Sequence, residues 1–466
     1  MKRLLTPPPR SILFLTPLYA ATAAILYLAA TRTFQPVPQF ENLRVVLFAL
    51  FFPILFKYLI QLSAAPLHLA CEAIRRRRQT GPQPTPSVSL LIPAWNEEVG
   101  ILKTVRSALN AAYPNLQVIV INDGSTDATD QRVRGFIAEN RDNLAPGHRL
   151  TYLSLENGGK ARALNRALKH ATGEIIITLD ADSVMDPDAI ANMVARFTSP
   201  RVGAVAGNVI VGNKRKPIEW MQQIEYVYGF FMKRADAMFN SVYIIGGAAA
   251  AYRRDVLERV GGFDHSIITE DIEMSTRILW RGYKTRYAPD AVVYTEGPSD
   301  WAGLCNQRLR WKHGRILTFL KHHRLFFSFR RRHNPYLSFM LLPLAVYAEL
   351  MLLFEAVLLG TFLLYTVMSG DYLPMAFVVL LITSVVSLQV ALDPKARFHR
   401  NLYLLAPIAW LLFYGMDMIE FQALVRSLKR LAKRQELQWQ KWTRVGVTEN
   451  GQTPGLGLPS LTRELN

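Results

Sequence analysis

The chain has 466 residues, of which 50% are hydrophobic, and its formal net charge is +18. It contains only two cysteines, Cys71 and Cys305, which argues against a small secreted scaffold held together by disulfides. The Lys and Arg residues cluster beside long apolar segments. That arrangement indicates a membrane protein and argues against nucleic-acid binding as the reason for the basic charge.

Several apolar segments are long enough, or nearly so, to cross a bilayer core of ~30 Å. They cover residues 11–30, 45–62, 336–367, 373–392 and 402–416. The first is longer than the apolar part of a cleaved signal peptide, and a second one follows it directly. We therefore expect two transmembrane helices within residues 1–70 and further transmembrane segments within 336–422.

Basic residues at the ends of these segments predict their orientation. Lys and Arg occur in the first ten residues, and a basic, proline-rich linker over 71–86 follows the second segment. Because Lys and Arg beside spans mark the cytoplasmic side, both flanks are expected in the cytoplasm. Three later crossings would put the basic tail 423–466 outside, against the same rule. Either one segment is re-entrant, or 336–367, interrupted near Pro343, crosses in an unusual way.

Residues 87–300 alternate between strand and helix patterns. Strands are predicted over 87–93, 116–122, 150–156 and 174–180. Helical periodicity covers 98–111, 126–139, 160–171 and a segment that begins at Pro187. This alternation predicts an α/β domain with a mostly parallel, Rossmann-like sheet covered on both faces, set between the transmembrane helices.

The segment after this domain, residues 301–335, is helical, basic and rich in aromatic residues. This composition is typical of amphipathic helices that lie in the membrane interface. Its Lys and Arg residues, with four apolar residues, are expected to face the anionic membrane surface. The four are Phe319, Leu325, Phe326 and Phe329.

Polar residues follow each predicted strand, at the edge where parallel sheets hold their ligands. They are Asn96 and Glu97, Asp123, Lys160, and Asp180 with Asp182. The two aspartates of the D-x-D pair can hold Mg²⁺ or Mn²⁺ through oxygen ligands, and the glycines before Lys160 suit a phosphate. Each feature also has a purely structural explanation, as a turn, a helix cap or a solvated lysine. Together they predict a nucleotide-diphosphate site.

Six motifs in their order resemble those of the processive membrane glycosyltransferases of family 2, which include cellulose, chitin, hyaluronan and poly-N-acetylglucosamine synthases. The motifs are PAWNEE (93–98), INDGSTD (121–127), GGKARALN (158–165), LDADS (179–183), ITEDIE (268–273) and QRLRW (307–311). The stretch 246–273 most resembles bacterial poly-β-1,6-N-acetylglucosamine synthases, since hyaluronan and chitin synthases generally carry a G-[DE]-D-R variant there.

This resemblance implies a GT-A-type catalytic domain in the cytoplasm and a role for each motif residue. Asp271 would be the general base, and Glu270 would orient the site or bind the donor sugar. The nucleotide sugar would be bound by Asn96, Glu97, Asp123, Lys160, Asp180 and Arg310, the metal by Asp180 and Asp182, and the acceptor by Gln307 and Trp311. The T-E-D sequence also fits a helix N-cap with Thr269 capping, and both explanations can hold together.

The resemblance further implies the activity and its partners. The enzyme would polymerise N-acetylglucosamine from UDP-GlcNAc onto a growing β-linked exopolysaccharide and export it across the inner (plasma) membrane, commonly with a small membrane accessory subunit. Four acids near apolar segments would line the export channel, unless they pair with basic side chains or lie at the interface. They are Glu349, Glu355, Asp417 and Glu420.

Three alternatives stay open at this point. The enzyme would use another nucleotide sugar, or it would add one or a few sugars to a lipid, or the chain would be a non-catalytic channel or scaffold. The Q-x-x-R-W motif disfavours the lipid enzyme, because single-addition relatives usually lack it. The intact Asp180, Asp182, Asp271 and Trp311 disfavour the scaffold.

Overall fold

The computed structural model describes residues 41–78, 85–140 and 143–435, with isolated positions between 16 and 31 and at 437 and 446. The predicted span 11–30 therefore lies outside the described ranges apart from those isolated positions. Most of the linker 79–86 and the tail beyond 435 lie outside them as well.

One eight-stranded sheet forms the centre of the catalytic domain, in the order β3-β2-β1-β4-β7-β6-β8-β5. Its strands are β1 Val88–Ala94, β2 Leu116–Asp123, β3 His148–Leu155, β4 Ile175–Thr178, β5 Ser183–Met185, β6 Val202–Val211, β7 Ala250–Arg253 and β8 Lys284–Thr295. Strands β1 to β4 pair in parallel, which confirms the four strands predicted from the sequence.

The other half of the sheet is mixed and was not predicted. Strand β7 is antiparallel to both β4 and β6, while β6 and β8 run parallel and β5 is antiparallel to β8. Every residue of β6 is buried, so this strand lacks the alternation that marks a half-exposed strand.

Helices cover both faces of the sheet. The helices of the domain are α1 Glu41–Arg78, α2 Ile101–Leu109, α3 Thr129–Asn140, α4 Lys160–Leu168, α5 Ala189–Val194, α6 Pro217–Met238, α7 Arg254–Val260, α8 Glu270–Trp280 and α9 Trp301–Lys321. Apolar residues of α2, α3 and α5 fill one core and those of α4, α7 and α8 the other. The predicted α/β architecture is thus confirmed.

Four helical segments among the described residues are long and apolar enough to cross a membrane: Ala49–Arg75, Tyr336–Ser369, Leu373–Ala391 and Asn401–Ala432. The last three contain helices α10 Leu342–Ser369, α11 Leu373–Ala391, α12 Asn401–Leu405 and α13 Ala409–Ala432. These segments coincide with predicted ones, and they make the chain a membrane protein.

The unpredicted helix α6 joins the sheet to these spans. Its Phe231 and Ala235 pack with Ala65 of α1, and its Val227 packs in a second cluster with Val390 of α11. The first membrane helix and the catalytic domain are therefore packed together through α6.

The expectation that the basic segment faces the membrane surface is wrong for much of α9. Arg308 and Lys312 are 1% and 4% exposed, and Phe319 and Leu325 are buried in a cluster with α8 and the start of α10. The reason is that α9 packs between α8 and α13, where carboxylates pair with its basic side chains. Both ends of the segment remain open, with Trp301 54% and Phe329 89% exposed.

Candidate active site

A single cavity of ≈ 2200 Å³ extends from the carboxyl ends of β1, β2 and β4 to the space between the membrane helices. Ten of the eleven predicted site residues line it: Glu97, Asp123, Lys160, Asp180, Asp182, Glu270, Asp271, Gln307, Arg310 and Trp311. The sheet places the first five at one edge, because parallel strands end at the same side.

Asn96 is the predicted residue that does not line the cavity. It has a positive φ of 54° and links two loops. Its side-chain oxygen accepts hydrogen bonds from the backbone of Thr126 at 2.7 Å and Asp127 at 3.3 Å, and its backbone N–H donates to Ser125 Oγ at 2.9 Å. Asn96 therefore holds the D-G-S-T-D loop in place. It can support a nucleotide site in this way without lining the cavity.

Asp123 organises the glycine loop beside it. Its two carboxylate oxygens accept hydrogen bonds from the backbone N–H groups of Gly158 at 2.9 Å and Gly159 at 2.8 Å. Gly124 has a φ of 68°, and a Cβ there would lie 2.5 Å from the backbone nitrogen of Asn157. The close approach requires glycine, so the D-G pair holds the loop that leads into Lys160.

Lys160 connects two motifs across the cavity. Its Nζ lies 2.6 Å from Asp180 Oδ1 and 3.1 Å from Glu270 Oε1. Burial alone would lower the pKa of Lys160, but the carboxylates of Asp180, Glu270 and Asp271 outweigh it and raise the pKa well above its usual value. Burial raises the pKa of Glu270, against the effect of Lys160. Lys160 thus stays positively charged between Asp180 of the L-D-A-D-S motif and Glu270 of the I-T-E-D-I-E motif.

Asp180 and Asp182 fit a divalent cation that is completed by substrate. Both line the cavity at the exit of β4, and the hydroxyls of Ser183 and Thr295 lie 3.3 and 3.4 Å from Asp182 Oδ1. The described residues contain no group of three or more His, Cys, Asp or Glu side chains that could hold a metal. Two carboxylates suit Mg²⁺ or Mn²⁺, which commonly take further ligands from phosphate and water.

The I-T-E-D-I-E motif lies at the start of helix α8. Glu270 and Asp271 occupy its first turn, where the helix dipole favours negative charge. Asp271 Oδ1 accepts a hydrogen bond from the backbone N–H of Ile272 at 2.9 Å. Thr269 occupies the N-cap position but makes no side-chain cap hydrogen bond, and its hydroxyl has no partner among the described residues. The threonine cap considered from the sequence is therefore not formed, while both acids lie in the first turn of α8 and line the cavity.

Helix α9 presents the Q-x-x-R-W residues to the same cavity. Gln307 is 6% exposed, and its side-chain oxygen has no hydrogen-bond partner among the described residues. The guanidinium of Arg308 lies 4.3 Å from the centre of the Trp311 ring, and Tyr226 lies on another side at 6.5 Å between ring centroids. Trp311 is thus held by its neighbours as a flat face in the cavity, which suits a sugar ring.

A network of buried charges joins α9 to the membrane helices and was not predicted as a unit. Arg308 donates to Glu225 of α6 at 2.8 and 2.5 Å, and Lys312 Nζ lies 2.8 Å from Glu349 and 2.6 Å from Glu420. Arg315 also pairs with Glu349. The sequence signal for this network was the spacing of Arg308, Lys312 and Arg315, because that spacing places three cations on one face of a helix.

The four acids predicted near the channel all line the cavity. Glu349 and Glu420 also pair with basic side chains, as the alternative expectation had it. Glu355 and Asp417 interact with each other across α10 and α13. Glu349 and Glu420 therefore both line the cavity and form ion pairs at this end of it.

Comparison with known proteins agrees with this geometry. The model of the family "Glycosyltransferase like family 2" matches residues 84–314. The poly-β-1,6-N-acetyl-D-glucosamine synthase of Staphylococcus epidermidis is 34% identical over 236 residues, which is 50% of this chain and 55% of that protein. The enzyme of the same name from Staphylococcus aureus strain COL is 34% identical over 230 residues, 49% of this chain and 54% of its own length. The match thus spans about half the length of these relatives.

A solved structure extends the likeness into the membrane part of the chain. It is a mannosyltransferase from Pyrobaculum calidifontis in complex with GDP-Man and Mn²⁺, with a TM-score of 0.50 and 26% identity. The alignment covers 83% of this chain and all of that one.

Proposed function

Since the chain is a glycosyltransferase that belongs to family 2, we propose that it is a processive, inverting enzyme that builds a β-linked polymer of N-acetylglucosamine from UDP-GlcNAc and exports it. The product would be a poly-β-1,6-GlcNAc-like exopolysaccharide. The observation that carries this proposal is the continuity of the cavity, which joins the acids at the strand edge to the space between membrane helices. A product made at one end would have a path to the other.

In the proposed reaction, Asp271 acts on the acceptor sugar and UDP leaves the donor sugar. Asp271 takes the proton of an acceptor hydroxyl, whose oxygen forms a bond to the anomeric carbon of the donor. The bond between that carbon and the β-phosphate oxygen of UDP breaks, so an α-linked donor gives a β-linkage. Within the described part of the chain, the carboxylate of Asp271 accepts its one hydrogen bond from the backbone N–H of its neighbour Ile272, which leaves it available for this task.

The remaining residues hold the donor and the acceptor. Asp180 and Asp182 would bind Mg²⁺ or Mn²⁺, which supplies positive charge to the leaving diphosphate. Lys160, kept protonated by its acidic neighbours, would turn from Asp180 to that diphosphate when the metal takes its place. Trp311 would carry the acceptor sugar on its flat face, and Gln307 offers its unpaired oxygen to a sugar hydroxyl.

The names of the Staphylococcus relatives support N-acetylglucosamine as the sugar and a β-1,6 linkage, but the match covers about half of each of them. A second candidate function is transfer from another nucleotide sugar, which is favoured by the mannosyltransferase solved with GDP-Man that aligns over 83% of this chain. Transfer of one or a few sugars to a lipid stays an alternative from the sequence. A small accessory subunit remains a prediction of the resemblance.

We also propose that the catalytic domain lies in the cytoplasm. The argument is the basic run that ends α1, where Arg75 and Arg77 follow a candidate span directly. UDP-sugars would then reach the strand edge from the side on which the domain stands.

The test is incubation of the purified full chain with Mg²⁺ or Mn²⁺ and separately labelled UDP-GlcNAc, UDP-glucose and GDP-mannose, with Asp271→Asn as control. High-molecular-weight product from UDP-GlcNAc alone, absent in the variant, supports the proposal. Label that enters a chloroform/methanol-soluble product favours the lipid enzyme. Polymer from another donor alone would show that the substrate assignment is wrong.

A further inference from the structure

Four arginines from separate elements converge near the end of α1, and none of them lines the cavity described above. Arg75 ends the candidate span, Arg196 follows α5, Arg234 lies on α6, and Arg286 lies in β8. All four act electrostatically on His68 of α1, so they form one group. We call these four residues the arginine cluster.

Two carboxylates pair with the arginine cluster among the described residues. Glu72 lies 3.1 Å from Arg75 and 3.2 Å from Arg196, and Asp290 lies 2.9 Å from Arg196. Asp393, which lies nearby, accepts a 2.7 Å hydrogen bond from the backbone of its own loop. Four guanidinium groups thus share two carboxylates, and the cluster has an excess of positive charge.

Several donors of the cluster lack acceptors. Arg234 is 1% exposed and donates to the backbone oxygen of Leu392 at 3.2 Å, while its Nε has no partner among the described residues. The same holds for Nη2 of Arg75 and Nε of Arg286. Arg286 makes no hydrogen bond or ion pair with the part of the chain that the structure describes. Segments 1–40 and 79–84, which precede and follow α1, contain no Asp or Glu.

Buried guanidinium N–H groups without acceptors are costly, so the cluster suits an anionic ligand. Burial and the neighbouring cations Arg75 and Arg196 lower the pKa of Arg286 by more than Glu72 raises it. Guanidinium groups match phosphate oxygens in a bidentate geometry. The chemistry of the missing partner is therefore that of a phosphate.

We propose that the arginine cluster binds the phosphate of an anionic phospholipid headgroup. The place of the cluster favours a lipid over a free ion, because Arg75 ends a candidate span and the α1 residues Leu67 and Ile74 are 57% and 50% exposed. These apolar side chains would contact acyl chains while the cluster holds the headgroup. Basic sites at the cytoplasmic ends of spans commonly bind acidic lipids.

The experiment uses the purified full chain in nanodiscs of phosphatidylcholine, with or without phosphatidylglycerol, and measures thermal unfolding and the lipids retained in native mass spectrometry. Phosphatidylglycerol should raise the melting temperature, because a ligand of the folded state stabilises it. Arg286→Gln should weaken retention of phosphatidylglycerol by about fivefold, the effect of one arginine at ~1 kcal/mol. The variant should melt like the parent in phosphatidylcholine, since Arg286 has no partner to lose.

Two further variants keep the test sharp. Arg132→Gln removes the same charge from an exposed site on α3 of the α/β domain and should retain the lipid like the parent. Arg286→Lys keeps the charge without the bidentate geometry and should fall between parent and Arg286→Gln. Equal loss in Arg132→Gln, or no loss in Arg286→Gln, would overturn the proposal. Inorganic phosphate that stabilises the protein as well as the lipid does would show a free-phosphate site and overturn the assignment to a lipid.

Discussion

The contact between α9 and the catalytic turn permits a sharp prediction at Gly314. A Cβ added at Gly314 would overlap Thr269 Oγ1 and would lie 2.6 Å from Thr269 Cγ2 and 2.8 Å from its Cβ. Thr269 directly precedes Glu270 and Asp271. Gly314→Ala must therefore move the first turn of α8 or the middle of α9, which carry the proposed base and the proposed acceptor-binding residues.

The magnitude follows from the overlap. Carbon atoms settle at about 3.5–4.0 Å, so the two helices must separate by roughly 1 Å at this point. A misplacement of about 1 Å can reduce a rate by on the order of 100-fold, and overpacking costs about 1–3 kcal/mol. Helix propensity acts the other way, because Ala favours a helix by about 1 kcal/mol over Gly. A loss of kcat thus reports the overlap at Gly314 and not a weaker helix.

The assay is release of UDP from the donor, with kcat and KM measured separately, beside thermal unfolding. We expect kcat to fall about 100-fold in Gly314→Ala, with a much smaller change in the KM of the donor, whose site lies at the strand edge. Thr269→Ala removes the two nearest atoms but keeps Cβ, 2.8 Å from the added carbon, so the double variant should recover part of the activity. Thr269→Ala alone should cost less than the ~1 kcal/mol typical of a lost cap, since its hydroxyl has no partner. Parent-like kcat in Gly314→Ala, or no recovery in the double variant, would refute the reasoning.

Three further predictions concern charge. Burial raises the pKa of Asp264, but hydrogen bonds from Lys321 and Ser266 outweigh it and lower the pKa to about 2. A carboxylate with a lowered pKa stabilises the folded state at pH values above the pKa that it has in the unfolded chain. Asp264→Asn should therefore lower the free energy of unfolding by about 1–2 kcal/mol at pH 7, with solvent screening allowed for. In thermal unfolding this difference should vanish between about pH 4 and pH 2. Lys312→Met removes a buried cation shared by two half-buried carboxylates and should cost about 3 kcal/mol, partly recovered when Glu420→Gln is added. EDTA and Asp182→Asn should each abolish binding of UDP in calorimetry, and Mn²⁺ or Mg²⁺ should restore it in the parent only.

Each of these predictions has a control. The exposed pair Arg254–Glu258 on α7 matches the buried pair in chemistry, and Arg254→Met should cost less than about 0.5 kcal/mol. An equal cost at Lys312 would mean that the buried network does not hold α9. A stability difference for Asp264→Asn that persists at pH 2 would contradict the role of its charge. UDP binding that withstands EDTA would contradict a metal-assisted site.

The elements that could be predicted from the sequence are those whose secondary structure is marked by a single residue pattern. Strands β1, β2 and β4 are buried apolar runs followed by polar residues, and both features can be read without knowledge of the partners. Helix α6 was missed because it buries polar residues such as Gln223 and Arg234 against the membrane helices, so that no apolar stripe marks it. Strand β6 was missed because glycines and alanines interrupt its β-branched residues and weaken the strand pattern.

The same distinction applies to the candidate site. The motif residues were found because their types and order repeat a family pattern, and the sheet together with helices α8 and α9 brings ten of them to one cavity. The task of Asn96 depends on a loop some thirty residues away, which only the folded chain supplies. The charge network of Arg308 and Lys312 draws its carboxylates from three other helices, so neither its pairing nor its burial can be read from α9 alone.

The most direct test of the account is to ask where the product goes as it is made. The full chain would be reconstituted in proteoliposomes, and those with the catalytic domain outside would be supplied with labelled UDP-GlcNAc and Mn²⁺. An added glycosidase that cleaves β-linked N-acetylglucosamine polymers would report which product is accessible. The account predicts that most of the polymer is protected until detergent is added, and that Asp271→Asn makes none. Polymer that is fully digested outside sealed vesicles would contradict the path from the base through the membrane helices.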